Sequence, residues 1–188
     1  LVLKNFNQNI LINTILISSA FYLFFITLRD FFTKKYKNIS QNIAHFGFSL
    51  LILSILFNNL FSSEIIANLK VGETFENSKT KIFFESVHQK KEQNYNAIIA
   101  NFFIRNSNGK EEIFSPELRI YNQPIIATSE ADIKTTFLSD KFIVINLVKN
   151  QDFFNVRYQV KSFMLWIWVS VILISIGGIT SFLKKYEK

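Results

Sequence analysis

The sequence predicts a membrane α-helical protein with three transmembrane helices and a small all-β soluble domain inserted between helices two and three. Three observations carry that class. Apolar residues make up 49% of the 188 residues and mean hydropathy is positive, unlike an ordinary soluble protein. Three apolar runs, Ile10 to Leu28, Ile43 to Phe61 and Phe163 to Leu183, approach the roughly 20 residues that a helix needs to cross the bilayer core. Between the second and third runs the pattern breaks into short alternating segments separated by turn residues, the mark of strands.

The chain divides accordingly into 1–41, a first helix and basic loop; 42–63, a second helix; 64–161, a translocated β-rich domain; and 162–188, a third helix and basic tail. In the first run Asn13, Thr14, Ser18, Ser19 and Thr27 are uncharged and can bond to carbonyls of their own or a neighbouring helix. The run outlasts the apolar core of a secretory leader and ends at Arg29, so it reads as a mature helix. A formal charge of +7 raises nucleic acid as a partner, and the placement of the charges argues against it. Arg29, Lys34, Lys35 and Lys37 follow the first span, and Lys184, Lys185 and Lys188 follow the third, in short segments of the kind that the positive-inside rule governs. Three spans put both segments on one side and send residues 64–161 across the membrane, to the intermembrane space or periplasm.

Within that domain Tyr95 to Arg105 is the longest strand candidate, and Asn106-Ser107-Asn108-Gly109 supplies the turn that reverses it into Glu111 to Phe114. Lys81 to Glu85, Phe142 to Val148 and Phe153 to Val160 are further strands, and the set points to a sandwich or barrel. With no cysteine, the domain holds by packing and not by disulfides. Heavy use of Phe, Ile, Asn and Lys matches an AT-rich genome, as in many mitochondria.

Only two histidines are present. His45 lies roughly 5 Å inside the second apolar run, a costly place for an ionisable residue unless it faces a bundle interior, a cavity or a metal. As neutral imidazole it is a candidate haem iron axial ligand, with Gly47 leaving room for a flat macrocycle or for close helix approach. The plainer alternative is a histidine hydrogen-bonded to a neighbouring helix. His88, in Val87-His88-Gln89-Lys90-Lys91, reads as a solvated surface residue. Trp166 and Trp168 sit where indoles anchor at headgroup level, and Gly177-Gly178 marks close helix packing. Ser115 to Tyr121 reads as a turn entering a strand, with Glu117 and Arg119 on one face as a structural ion pair. No nucleophile with a base, phosphate-cradling loop or clustered metal ligands emerge, so the catalytic residues are unknown.

The order of these pieces resembles the C-terminal portion of CcmF, the haem-lyase component of the multi-subunit cytochrome c maturation system. The resemblance covers residues 41 to 185, on the order of three quarters of the chain. Ile43-Ala44-His45-Phe46-Gly47 resembles the family's Leu-Ala-His-x-Gly helix start, and Glu64 followed by Gly72-Glu73 its helix exit. Asn94-Tyr95-x-Ala97, Pro116-Glu117-x-Arg119-x-Tyr121, and Ser129-Glu130-Ala131-Asp132-Ile133 with Asp140 resemble segments of its soluble domain. Trp166-Ile167-Trp168 with Gly177-Gly178 resembles its last helix. Ser162 stands where the family usually has proline, and Ser170 where it usually has glycine.

The resemblance implies a part in joining haem vinyl groups to the cysteine thiols of apocytochrome c, with His45 as one ligand of a haem b that keeps the substrate haem iron reduced. The family's tryptophan-rich haem segment, the two histidines flanking it and its second haem b ligand have no counterpart here. The resemblance therefore implies a split or fragment form, mitochondrially encoded and active only within a complex. A second CcmF-type polypeptide would supply the opposite ligand, apocytochrome c would dock on the β-domain, and membrane lipid would surround the helices. The mitochondrial inner membrane is the expected location, with a bacterial plasma membrane second. A different class of function is a non-catalytic structural subunit held by respiratory-complex subunits.

Overall fold

The computed structural model describes residues 10–33, 39–106, 109–148 and 152–186. The expectations placed on Lys34, Lys35, Lys37, Lys188, Ser107 and Asn108, and on the side chains of Asn13, Lys184 and Lys185, lie outside that description.

Among the described residues three helices form, α1 (Ile10–Phe32), α2 (Ile39–Phe61) and α3 (Met164–Tyr186), each of 23 residues. Thr14–Phe32, Ile39–Phe61 and Met164–Leu183 are long and apolar enough to cross a membrane. Helix α3 runs three residues past the expected Leu183, and two other boundaries differ by four residues from the apolar runs. Helix α1 continues past Leu28 through an Arg29–Asp30 ion pair. Helix α2 starts four residues early because its polar first turn is packed: Ser40 is buried and its carbonyl lies beside Gly177.

Helix α2 packs against both α1 and α3, and small residues set the approach. A Cβ added at Gly47 would come within 3.0 Å of Ile174 and Leu173, and one at Gly177 within 2.7 Å of the backbone of Ser40 and Ala44. Gly178 meets nothing within 4 Å, so only the first glycine of the pair works as a contact.

The second unit is a β-sandwich. One sheet runs in the order β1 (Ser63–Leu69), β10 (Phe154–Ser162), β9 (Ser139–Leu147), β8 (Asp132–Thr135). The other runs β2 (Thr74–Glu76), β3 (Thr80–Lys91), β4 (Tyr95–Asn106), β6 (Glu117–Tyr121), β7 (Ala127–Glu130), with β5 (Glu111–Phe114) also on β4. Alternation selects the core, since every second residue of a strand shares a face. Ile82 and Phe84, Ala100, Phe102 and Ile104, Ile143 and Ile145, and Val156 and Tyr158 are all buried. Phe84 stacks on Phe102 with centroids 4.5 Å apart, and Phe114 meets Tyr158 edge-on from the opposite sheet. A bulge between Phe84 and Ser86 resets the phase of β3. The expected 95–105/111–114 hairpin is present, closed by Gly109 at a φ of 73° with its N–H donating to the Asn106 carbonyl.

The helical unit gathers Leu1–Ser62, Phe137–Ser139 and Ser162–Lys188, and the β unit Ser63–Thr136 and Asp140–Lys161. Residues 137–139, which lead from β8 into the first residue of β9, thus group with the helices.

Candidate functional site

His45 is the seventh residue of α2, about 9 Å from its start at 1.5 Å per residue. The helical repeat of roughly 100° per residue sets it about 200° from Gly47 and 40° from Ser49. Gly47 is buried against α3, and Ser49 is buried with its hydroxyl 2.7 Å from that of Thr27 on α1. His45 faces outward and is exposed, on a stripe with Phe48 and Ile55. Among the described residues no hydrogen bond reaches its ring, and no group of three or more His, Cys, Asp or Glu could hold a metal ion. Gly47 therefore serves close helix approach and makes no room beside the imidazole. One imidazole is available on this face, so a haem held here would take a single ligand from this chain, His45.

The helices also border an open apolar pocket of about 280 Å³, lined by Phe24, Phe46, Leu53, Phe57, Trp166 and Leu173 among others. His45 does not line it.

Where α2 ends and α3 begins, polar groups satisfy one another. Asn58 Nδ2 donates to the Ser162 carbonyl, the Ser162 N–H donates to Ser62 Oγ at 3.1 Å, and Ser162 Oγ donates to the Phe61 carbonyl. A proline at 162 could not donate the second of these bonds, so the serine there adds a link that proline lacks. Phe163 follows with φ at 58°, a left-handed conformation costly for a bulky residue. It is held by its N–H donating to the Leu138 carbonyl at 2.7 Å and by ring packing on Phe57 at 4.9 Å. Ser170 is fully buried and its hydroxyl donates to the Trp166 carbonyl at 2.6 Å, which lets a polar residue occupy a packed face. From the sequence Ser162, Trp166 and Ser170 stand out singly but are not joined to Asn58 or to the apolar pair Phe137-Leu138, whose place between polar neighbours was the available signal.

On the β unit, two segments of the resemblance meet. Tyr95 pairs with Tyr121 and Ala97 with Arg119 across β4 and β6, and Arg119 Cζ lies 5.1 Å over the Tyr95 ring. Arg119 donates to Glu117 at 2.9 Å, the expected ion pair, and that hydrogen bond holds the guanidinium pKa above its usual range. Glu64 accepts from Arg157 and Gln159 of the neighbouring strand, and the Arg157 bond first among causes keeps its carboxyl below the ordinary value. Asp132 accepts the Ser115 N–H at 2.7 Å. These contacts are structural. His88 is exposed beside Ser86.

The family described as the CcmF C-terminal beta-sandwich matches residues 60–162. The cytochrome c-type biogenesis protein ccl1 of Rhodobacter capsulatus is 30% identical over 135 residues, 72% of this chain and 21% of that protein. The cytochrome c-type biogenesis protein NrfE of Haemophilus influenzae is 26% identical over 93% of this chain and 28% of its own length. A solved structure, that of the cytochrome c heme lyase CcmF, shares the fold with a TM-score of 0.60 at 18% identity, covering 83% of this chain and 27% of that one. The chain thus spans about a quarter of the length of these relatives.

Proposed function

We propose, since the chain belongs to the CcmF family through its C-terminal β-sandwich, that it is a membrane-anchored subunit of a cytochrome c haem lyase whose His45 provides one axial ligand to haem b. The observation that carries the reading is the outward imidazole without a partner among the described residues, set on an apolar helix face where an ionisable group is costly unless used. When bound, that haem supplies one-electron chemistry toward the substrate haem iron. A separate CcmF-type polypeptide bearing the tryptophan-rich segment brings the opposite ligand, and the β-sandwich docks apocytochrome c.

The three apolar helices support a membrane location, with residues 64–161 on the face opposite the basic segments. The bacterial sources of the relatives support a plasma membrane with a periplasmic domain. The residue usage supports the mitochondrial inner membrane.

The test is absorbance of the purified, partner-containing complex. His45→Ala abolishes the b-type spectrum while the complex stays assembled. An unchanged spectrum refutes the ligand assignment.

A further inference from the structure

Between β8 and β9 the chain presents two adjacent large apolar side chains outward, Phe137 at 65% and Leu138 at 56% exposure. No charge lies between Lys134 and Asp140. Both backbone carbonyls of the pair are nevertheless taken: Trp166 Nε1 donates to Phe137 at 3.1 Å, and the Phe163 N–H donates to Leu138 at 2.7 Å. The Phe137 ring meets the Trp166 indole edge-on, centroids 4.8 Å apart. Trp166 is the third residue of α3, at the beginning of the stretch apolar enough to span a bilayer. The loop is thereby held at the depth of the first turn of that helix.

We infer that Phe137 and Leu138 form an interfacial membrane anchor, their side chains entering the headgroup–acyl boundary around the start of α3. Exposed side chains with satisfied backbone acceptors are what that layer requires. It rewards apolar and aromatic groups and penalises carbonyls left unpaired. A water-exposed turn needs neither feature, since solvent satisfies free carbonyls and disfavours two neighbouring large apolar groups. Lipid is the occupant because the hydrogen bonds tie the loop to a helix whose own surroundings are hydrocarbon.

The inference rests on the membrane placement of α3, and the test separates the two. The chain has no cysteine, so Leu138→Cys gives a single labelling site and leaves the backbone acceptor intact. An environment-sensitive dye is attached there in the full chain reconstituted into vesicles, with Ile179→Cys on the exposed side of α3 and Lys79→Cys in a polar turn as references. Lipid-borne nitroxides quench the dye at 138 several-fold more than at 79, approaching the quenching at 179, and its emission is blue-shifted relative to 79. Quenching at 179 but not at 138 overturns the anchor alone, including the case in which 138 is shielded from aqueous quenchers by protein. Absence of lipid quenching at 179 overturns the membrane reading of α3 and the anchor with it.

Discussion

The hydroxyls of Thr27 and Ser49 lie 2.7 Å apart, joining α1 to α2 where both side chains are buried. Each also lies within reach of its own helix, Thr27 near the Leu23 and Phe24 carbonyls and Ser49 near that of Phe46, so the hydroxyl that accepts the central bond is the one free to donate to its own helix. In a bilayer core no water competes for these groups, so the pair links two otherwise apolar surfaces at one register. Either hydroxyl can be the donor of the central bond.

Thr27→Val and Ser49→Ala each lower stability by about 1 kcal/mol, the scale measured for hydrogen bonds between membrane helices. A double-mutant cycle, read by unfolding in detergent, returns a coupling of similar size. Additive effects would show that the two hydroxyls act separately.

The two adjacent glycines of α3 respond differently. Gly177→Ala forces a Cβ to 2.7 Å from backbone atoms of α2, and such overpacking costs about 1–3 kcal/mol. Gly178→Ala meets open space and is neutral or slightly stabilising, since alanine is the better helix former. Thermal melts of the two variants in the same detergent distinguish them.

Lys141 on β9 donates to Glu112 on β5 at 2.7 Å, bridging the two sheets with side chains only 17% and 13% exposed. The other Glu112 oxygen is buried without a hydrogen bond among the described residues. Lys141→Met alone strands a charge and costs about 3 kcal/mol. Pairing it with Glu112→Leu recovers most of the loss, because the ions no longer need solvation. Denaturant midpoints of the single and double variants measure the recovery.

Burial first, and the Glu112 carboxylate second, push the Tyr158 hydroxyl from its ordinary 10.0 up to about 12. The folded state therefore keeps a proton that the unfolded chain releases. Stability from this group is complete below pH 10 and falls as pH rises toward 12, with unfolding releasing up to about one proton. Tyr158→Phe removes that share of the alkaline slope. Stability measured across the window for both proteins checks it, the difference curve cancelling the other tyrosines.

Much of the β unit was legible because its longer strands alternate. Tyr95 to Arg105, Glu111 to Phe114 and Phe153 to Val160 emerge within a residue or two of their expected bounds. Ser63–Leu69, Thr74–Glu76, Ala127–Glu130 and Asp132–Thr135 were not foreseen. They are short or lack clear alternation, and Ser63–Leu69 is a strand because seven residues of it pair with Phe154–Val160. A partner nearly a hundred positions away leaves no local trace. The early start of α2 escaped for a similar reason: Ser40 and Gln41 are too polar for an apolar scan, yet α3 packs over that turn.

By itself the sequence determined that three runs are apolar enough to span, because hydrophobic run length is a local property, and it left open whether Gly47 makes room for a macrocycle beside His45 or for a neighbouring helix. Which side is covered was decided by tertiary structure. Gly47 meets Ile174 and Ser49 meets Thr27, while His45, one turn before Ser49, stays exposed. Contact between distant helices depends on small residues and hydrogen bonds that match only when the surfaces are brought together, and no single segment contains both halves of that match.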